Sequence, residues 1–149
     1  MITLIFYGLD QFVVGELSKE MTPSLAKLYE VKEDDVIFVA TDNMVFHSGV
    51  EQTAWNALVH VHAPLKVSVL QDQVSKFILE SIGNVAIHKT LEFYYYSQDN
   101  RFEKIDETYP RFMAEENTID VDYEYNEDIE EGEEDDQIFT GDIFEGINK

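Results

Sequence analysis

AWNALVHVHAP, residues 54–64, runs straight into LKVSVLQDQVSKFILESIG, residues 65–83, and the hydrophobic period changes at the join. Over Ala54 to His62, the side chains Trp55, Ala57, Val59 and Val61 alternate with Asn56, Leu58, His60 and His62. That two-residue repeat predicts a strand with two unlike faces, ended at Ala63-Pro64. Val67, Leu70, Val74, Phe77, Ile78 and Ile82 then fall three or four apart, with Gln71, Asp72, Lys76 and Glu80 off the stripe. This is one face of a helix, and Gly83-Asn84 supplies its stop. Val85 to Tyr96 is β-branched and aromatic and predicts a strand to about Ser97, where Gln98-Asp99-Asn100 turns. Arg101 to Ile105 is expected to return as a short arm. Strand, helix and strand in this order make a crossover that joins a parallel pair and lays the helix on one face.

The same scheme stands upstream. Ile2 to Tyr7 is an apolar run closed by Gly8, and Val13, Leu17, Met21, Leu25 and Leu28 or Tyr29 then recur at helical spacing behind Asp10, a candidate N-cap. Pro23 predicts a kink or two helical pieces, because it lacks a donor and crowds the preceding turn. After Glu33-Asp34-Asp35, the five apolar residues Val36 to Ala40 predict a strand covered on both faces. Thr41-Asp42-Asn43 reads as a turn, and Met44 to His47 as a hairpin arm broken by Ser48-Gly49. Two such units predict an α/β chain of the α+β two-layer kind: a four-stranded mixed sheet with two helices on one face. The other face lacks cover. Apolar surface from Phe38, Leu58, Phe93 or Tyr95 is expected there, and self-association is the remedy.

Composition sets the limits. The chain has 149 residues, no cysteine and a net charge of −21. Disulfides, thiolate chemistry and zinc sites that need sulfur are excluded. The charge argues against a nucleic-acid backbone or an anionic membrane face as partner and favours basic proteins. Met1 to Leu9 has no basic leader and falls far short of the roughly 17–25 apolar residues that span a bilayer, so a cytoplasmic protein is expected. Residues 1–110 hold 16 acidic against 8 basic side chains, whereas 115–136 hold thirteen carboxylates and no Lys or Arg. The expected division is a domain over 1–110 and an acidic, disordered tail over 111–149, closed by the apolar cluster Ile138, Phe139, Ile143, Phe144 and Ile147. That cluster reads either as a docking peptide or as a segment that packs on its own domain.

Two β-α-β units of this length, a strand at the very N-terminus and a strand leading through Val61 to Leu65 into a strong second helix resemble the tautomerase-like superfamily, the group of macrophage migration inhibitory factor and the 4-oxalocrotonate tautomerases. The likeness covers residues 1–105 and lies nearest an uncharacterised bacterial branch. It implies a trimer whose three sheets line a central barrel, with any active site near the start of the first strand and close to a neighbouring subunit. The family's base is a proline directly after the initiator methionine, and Ile2 stands in that place. A tuned secondary amine is therefore missing. A bulky second residue implies that Met1 is retained, so the amine on offer is that of Met1, ordinarily protonated near pKa 7.7–8.0.

The candidate catalytic residues are accordingly Met1, His60, His62 and Arg101. His60 and His62 share one face of a strand and could give a metal two ligands, but a third from His47, His88 or a carboxylate is not indicated by spacing, so no metal and no cofactor is expected. Arg101 could receive a carboxylate if it reached a cleft. Phe93-Tyr94-Tyr95-Tyr96 alternates across a strand and reads as core and subunit interface rather than a stacking platform for bases. The expected function is a non-enzymatic interaction or regulatory protein, a homo-trimer with a basic partner at the tail. The alternative is a small tautomerase or isomerase of keto acids with a base other than proline.

Overall fold

The computed structural model describes residues 1–41 and 43–114. Its principal elements are β1 (Ile2–Tyr7), α1 (Gln11–Tyr29), β2 (Val36–Ala40), the short β3 (Phe46–His47) and β4 (Val50–Glu51), β5 (Asn56–Pro64), α2 (Gln71–Ile82) and β6 (His88–Tyr96). The main sheet runs β2-β1-β5-β6. β1 is parallel to β2 and antiparallel to β5, and β5 is parallel to β6. Each β-α-β crossover thus yields its parallel pair, and the two pairs meet back to back.

Asp10 caps α1 by accepting the Phe12 N–H at 2.8 Å. At the other end Glu30 turns left-handed, φ 54°, and its N–H reaches the carbonyls of Ala26 and Lys27. The helix passes through Pro23 as one element, so the two-piece alternative does not hold. Val14, Leu17, Met21, Leu25 and Tyr29 bury the face toward the sheet, and packing along it outweighs the one hydrogen bond that proline removes. The N-terminal turn of the second crossover, Leu65–Leu70, is tighter than α-helical, and α2 follows with Val74, Ile78 and Ile82 buried.

Ile2, Leu4 and Phe6 of β1 and Ala57, Val59, Val61 and Ala63 of β5 are buried with these helix residues in one core, which places both helices on the same side of the sheet. The large side chains among them, such as Phe6 and Leu4, each contribute about 1.5–3 kcal/mol by burial. Gly8 makes the exit from β1 possible: its φ is 74°, and a Cβ there would lie 2.5 Å from the Asn56 carbonyl oxygen.

Four expectations change. β2 is an edge strand, with Val36 buried but Val39 and Ala40 exposed, so its apolar run is not covered on both faces in the chain itself. β5 starts at Asn56 rather than Ala54, because Ala54 is left-handed at φ 59° and Trp55 N–H turns back to Gln52 O. Residues 101–105 form no strand arm; ionic contacts with Arg101 and Arg111 organise them instead. Phe38, Phe93 and Tyr95 pack toward the helices, leaving only Leu58 of the four side chains assigned to the open face. Of the tail expected over 111–149, residues 115–149 lie outside the described residues, whereas Arg111 pairs with Glu103.

Candidate functional site

Strand register decides what the open face carries. His62 pairs with Thr3 of β1 and Tyr94 of β6, His60 with Ile5 and Glu92, and Leu58 with Tyr7 and Thr90. Side chains directly across neighbouring strands stand within reach, so His60 meets aromatic rings from both sides and His62 meets one from β6. The His60 ring lies 4.9 Å from Tyr7 and 4.9 Å from Tyr94, centroid to centroid, and Tyr94 stacks on His62 at 5.0 Å. The two imidazoles are 6.4 Å apart. His60 Nε2 stands 3.2 Å from Glu92 Oε2, close enough to pair once protonated, yet it is shielded from water and out of line for a hydrogen bond as placed. The Tyr94 hydroxyl donates to that same carboxylate oxygen at 2.7 Å, which raises the Tyr94 pKa.

At the start of β1 a second group gathers. Tyr96, the last residue of β6, donates its hydroxyl to the Met1 carbonyl at 2.6 Å. Arg101, just past the Gln98–Asn100 turn, reaches the Met1 sulfur at 2.8 Å and the Tyr96 hydroxyl at 3.4 Å. Its Nη2 also donates to Glu103 at 3.1 Å, and Glu103 accepts from Arg111 at 2.7 Å. A cavity of about 320 Å³ opens beside this group, lined by Thr3, Ile5, His62, Tyr96, Asn100 and Arg101. Met1, Glu103 and Arg111 line an adjoining one of about 340 Å³.

Partial burial lowers the Met1 amine pKa, with Asp35 opposing and Arg101 assisting. Burial also lowers His62, and the neighbouring His60 adds to the effect. An imidazole and an amine that are both easier to deprotonate than usual therefore lie near one guanidinium, an arrangement that could accept a proton or hold an anion. Three of the four candidates, Met1, His62 and Arg101, come together; His60 lies one repeat further along β5 and outside the cavity. His47 and His88 lie elsewhere, His88 against Trp55, and no group of three or more His, Asp or Glu side chains able to hold a metal occurs among the described residues. Glu92, Tyr7 and Glu103 escaped the sequence reading, and Tyr96 entered it only as core or subunit interface. Tyr96 and Glu92 share a face with Tyr94 by simple alternation, but only the β5–β6 register places them beside the histidines.

No protein-family model matches the chain, and no curated protein matches it in sequence. Solved structures do match in shape. A domain of unknown function (DUF1904) from Sebaldella termitidis has a TM-score of 0.63 at 16% identity, over 69% of this chain and 95% of that one. A macrophage migration inhibitory factor homologue from Prochlorococcus marinus gives 0.54 at 14% identity, over 69% and 94%. A fused 4-OT, described as an asymmetric trimer, gives 0.52 at 11% identity, over 64% and 86%. This chain shares the fold of these proteins, an α+β sandwich of two helices on a mixed four-stranded sheet.

Proposed function

We propose that this chain is a non-enzymatic interaction or regulatory protein on a tautomerase-like scaffold, cytoplasmic, and assembled into a homo-oligomer, most simply a trimer, through its open sheet face. The observation that carries the reading is the state of the N-terminal end of β1. Ile2, in the position of the family's proline, is 0% exposed and belongs to the core. Met1 is held by Tyr96 and Arg101, and the Arg101 guanidinium already serves Tyr96, Met1 and Glu103. An incoming carboxylate would have to displace an internal partner, which weakens binding by the interaction lost.

Self-association draws support from charge. A second copy of a chain carrying −21 is repelled almost everywhere, yet the four strands place a single carboxylate, Glu92, on the open face, where it faces His60. The fused 4-OT of like fold is described as a trimer. Light scattering at low micromolar concentration should give a multiple of 17.3 kDa, and the mass of one chain would defeat this reading. The acidic residues 115–136 are suited to a basic protein partner. Deleting 115–149 should abolish that interaction and leave the melting transition of 1–110 nearly unchanged.

A second reading, a small tautomerase or isomerase of keto acids, is favoured by the cavity that His62 shares with Arg101. Keto–enol exchange of aryl and dicarboxylic keto acids, measured for the wild type beside an Ile2→Pro variant processed to expose the proline, separates the two. Weak or no wild-type turnover is expected. Substantial turnover lost in His60→Ala or His62→Ala would put the enzymatic reading first.

A further inference from the structure

We propose that the open face of the sheet is a proton-sensitive seam between copies of this chain, with His62 as the group whose protonation loosens the assembly. The inference rests on the self-association reading and adds its regulation. His62 lies on β5, an inner strand of the sheet, flanked by β1 and β6, so a copy seated on the open face covers it.

The groups that face it are few. From β1 comes the hydroxyl of Thr3; from β5 itself comes His60, with the Tyr7 ring on its far side; from β6 come Glu92, Tyr94 and Tyr96; and Arg101 closes the cavity at the end. The carboxylate among them is directed at His60, 3.2 Å from its Nε2, and also holds the Tyr94 hydroxyl. His62 has a ring stacked upon it, a second imidazole 6.4 Å away and a guanidinium across the cavity. A proton on His62 would meet cations or potential cations without a carboxylate of its own, because the carboxylate on this face stands beside His60. The two histidines, alike in sequence, therefore differ in surroundings.

The sign follows from burial. His62 in the folded chain is already harder to protonate than a free imidazole, because burial and His60 favour its neutral form. Covering the face removes more water and deepens that preference. Assembly that depends on neutral His62 is fully present above the pKa of this ring in the unassembled chain, itself below the ordinary histidine value of about 6.5, and is lost as pH falls below it. Repetition by symmetry brings several copies of the ring to one interface, so the loss multiplies with the number of chains.

The test is the mass of the full chain by light scattering at low micromolar concentration, at pH 7.5 and 5.5 and constant ionic strength, for wild type, His62→Gln, His60→Gln and the remote control His47→Gln. The expected result is an oligomer at pH 7.5 that falls toward one chain at pH 5.5 for wild type and His47→Gln, while His62→Gln keeps its mass. Loss of the imidazole opposite Glu92 in His60→Gln should leave the pH response in place. A single-chain mass at both pH values would overturn the self-association reading and this inference with it. An unchanged oligomer at both would overturn the seam alone, as would dissociation of His62→Gln in step with wild type. Should His62→Gln not fold, the wild-type ring is followed by NMR: a His62 that titrates identically at assembling and at dilute concentrations would equally end the proposal.

Discussion

The two faces of the sheet are cut from the same strands and yet obey different rules. On the helix side, Ile2, Leu4 and Phe6 of β1 and Val59 and Val61 of β5 are wholly buried aliphatic or aromatic groups. One residue over, on the open side, stand Thr3, Ile5 and Tyr7 with His60 and His62. The first face is held together by exclusion of water and needs only size and shape. The second carries polar and aromatic groups brought together at particular registers, so its contacts are fewer, more directional and more easily altered by a proton. A face built this way adds little to the stability of one chain and is well suited to selective contact.

That contrast can be broken most directly in β1. Phe6→Ala should cost about 3–5 kcal/mol through the cavity it leaves, read by urea unfolding, while Tyr7→Ala, the next residue but on the open side, should cost under about 1 kcal/mol. Equal losses would mean that the open face is part of the core. Gly8→Ala comes next, at about 1–3 kcal/mol, because the left-handed backbone and the Asn56 carbonyl both oppose a Cβ there. A neutral result in thermal unfolding would show that the strand exit relaxes freely.

Asp10→Ala should cost about 1 kcal/mol by freeing the N–H of Phe12 at the start of α1, a loss on the covered side that involves no buried apolar group. The smallest effect is expected for Thr3→Val on the open face: within about 0.5 kcal/mol for the unassociated chain, measured by unfolding at nanomolar concentration. A larger loss would assign this face a structural duty within the single chain.

Much of the covered side was legible beforehand. The Asp10 cap, the stripe through Leu17, Met21 and Leu25, the Gly83 stop and the alternation in β5 are local features, and each is where its pattern placed it. The open side was misjudged because alternation tells which residues share a face within a strand, but not which strand lies beside it. Phe38 joins the helix side since β2 pairs Leu4 with Phe38, and the stacked Phe6 and Phe38 rings, 5.8 Å apart, follow from that register. Phe93 joins it since Val61 pairs with Phe93.

The sequence by itself determined the periods, the caps, the crossovers and hence the sheet with its helices on one side, because hydrophobic spacing and backbone propensity act over a few residues. Only the tertiary structure decided that His62, Tyr96 and Arg101 share a cavity beside Met1, and that Glu92 answers His60 but not His62. Those meetings depend on pairing between strands some thirty to ninety residues apart, and a shift of one position in that pairing would send every one of these side chains to the other face.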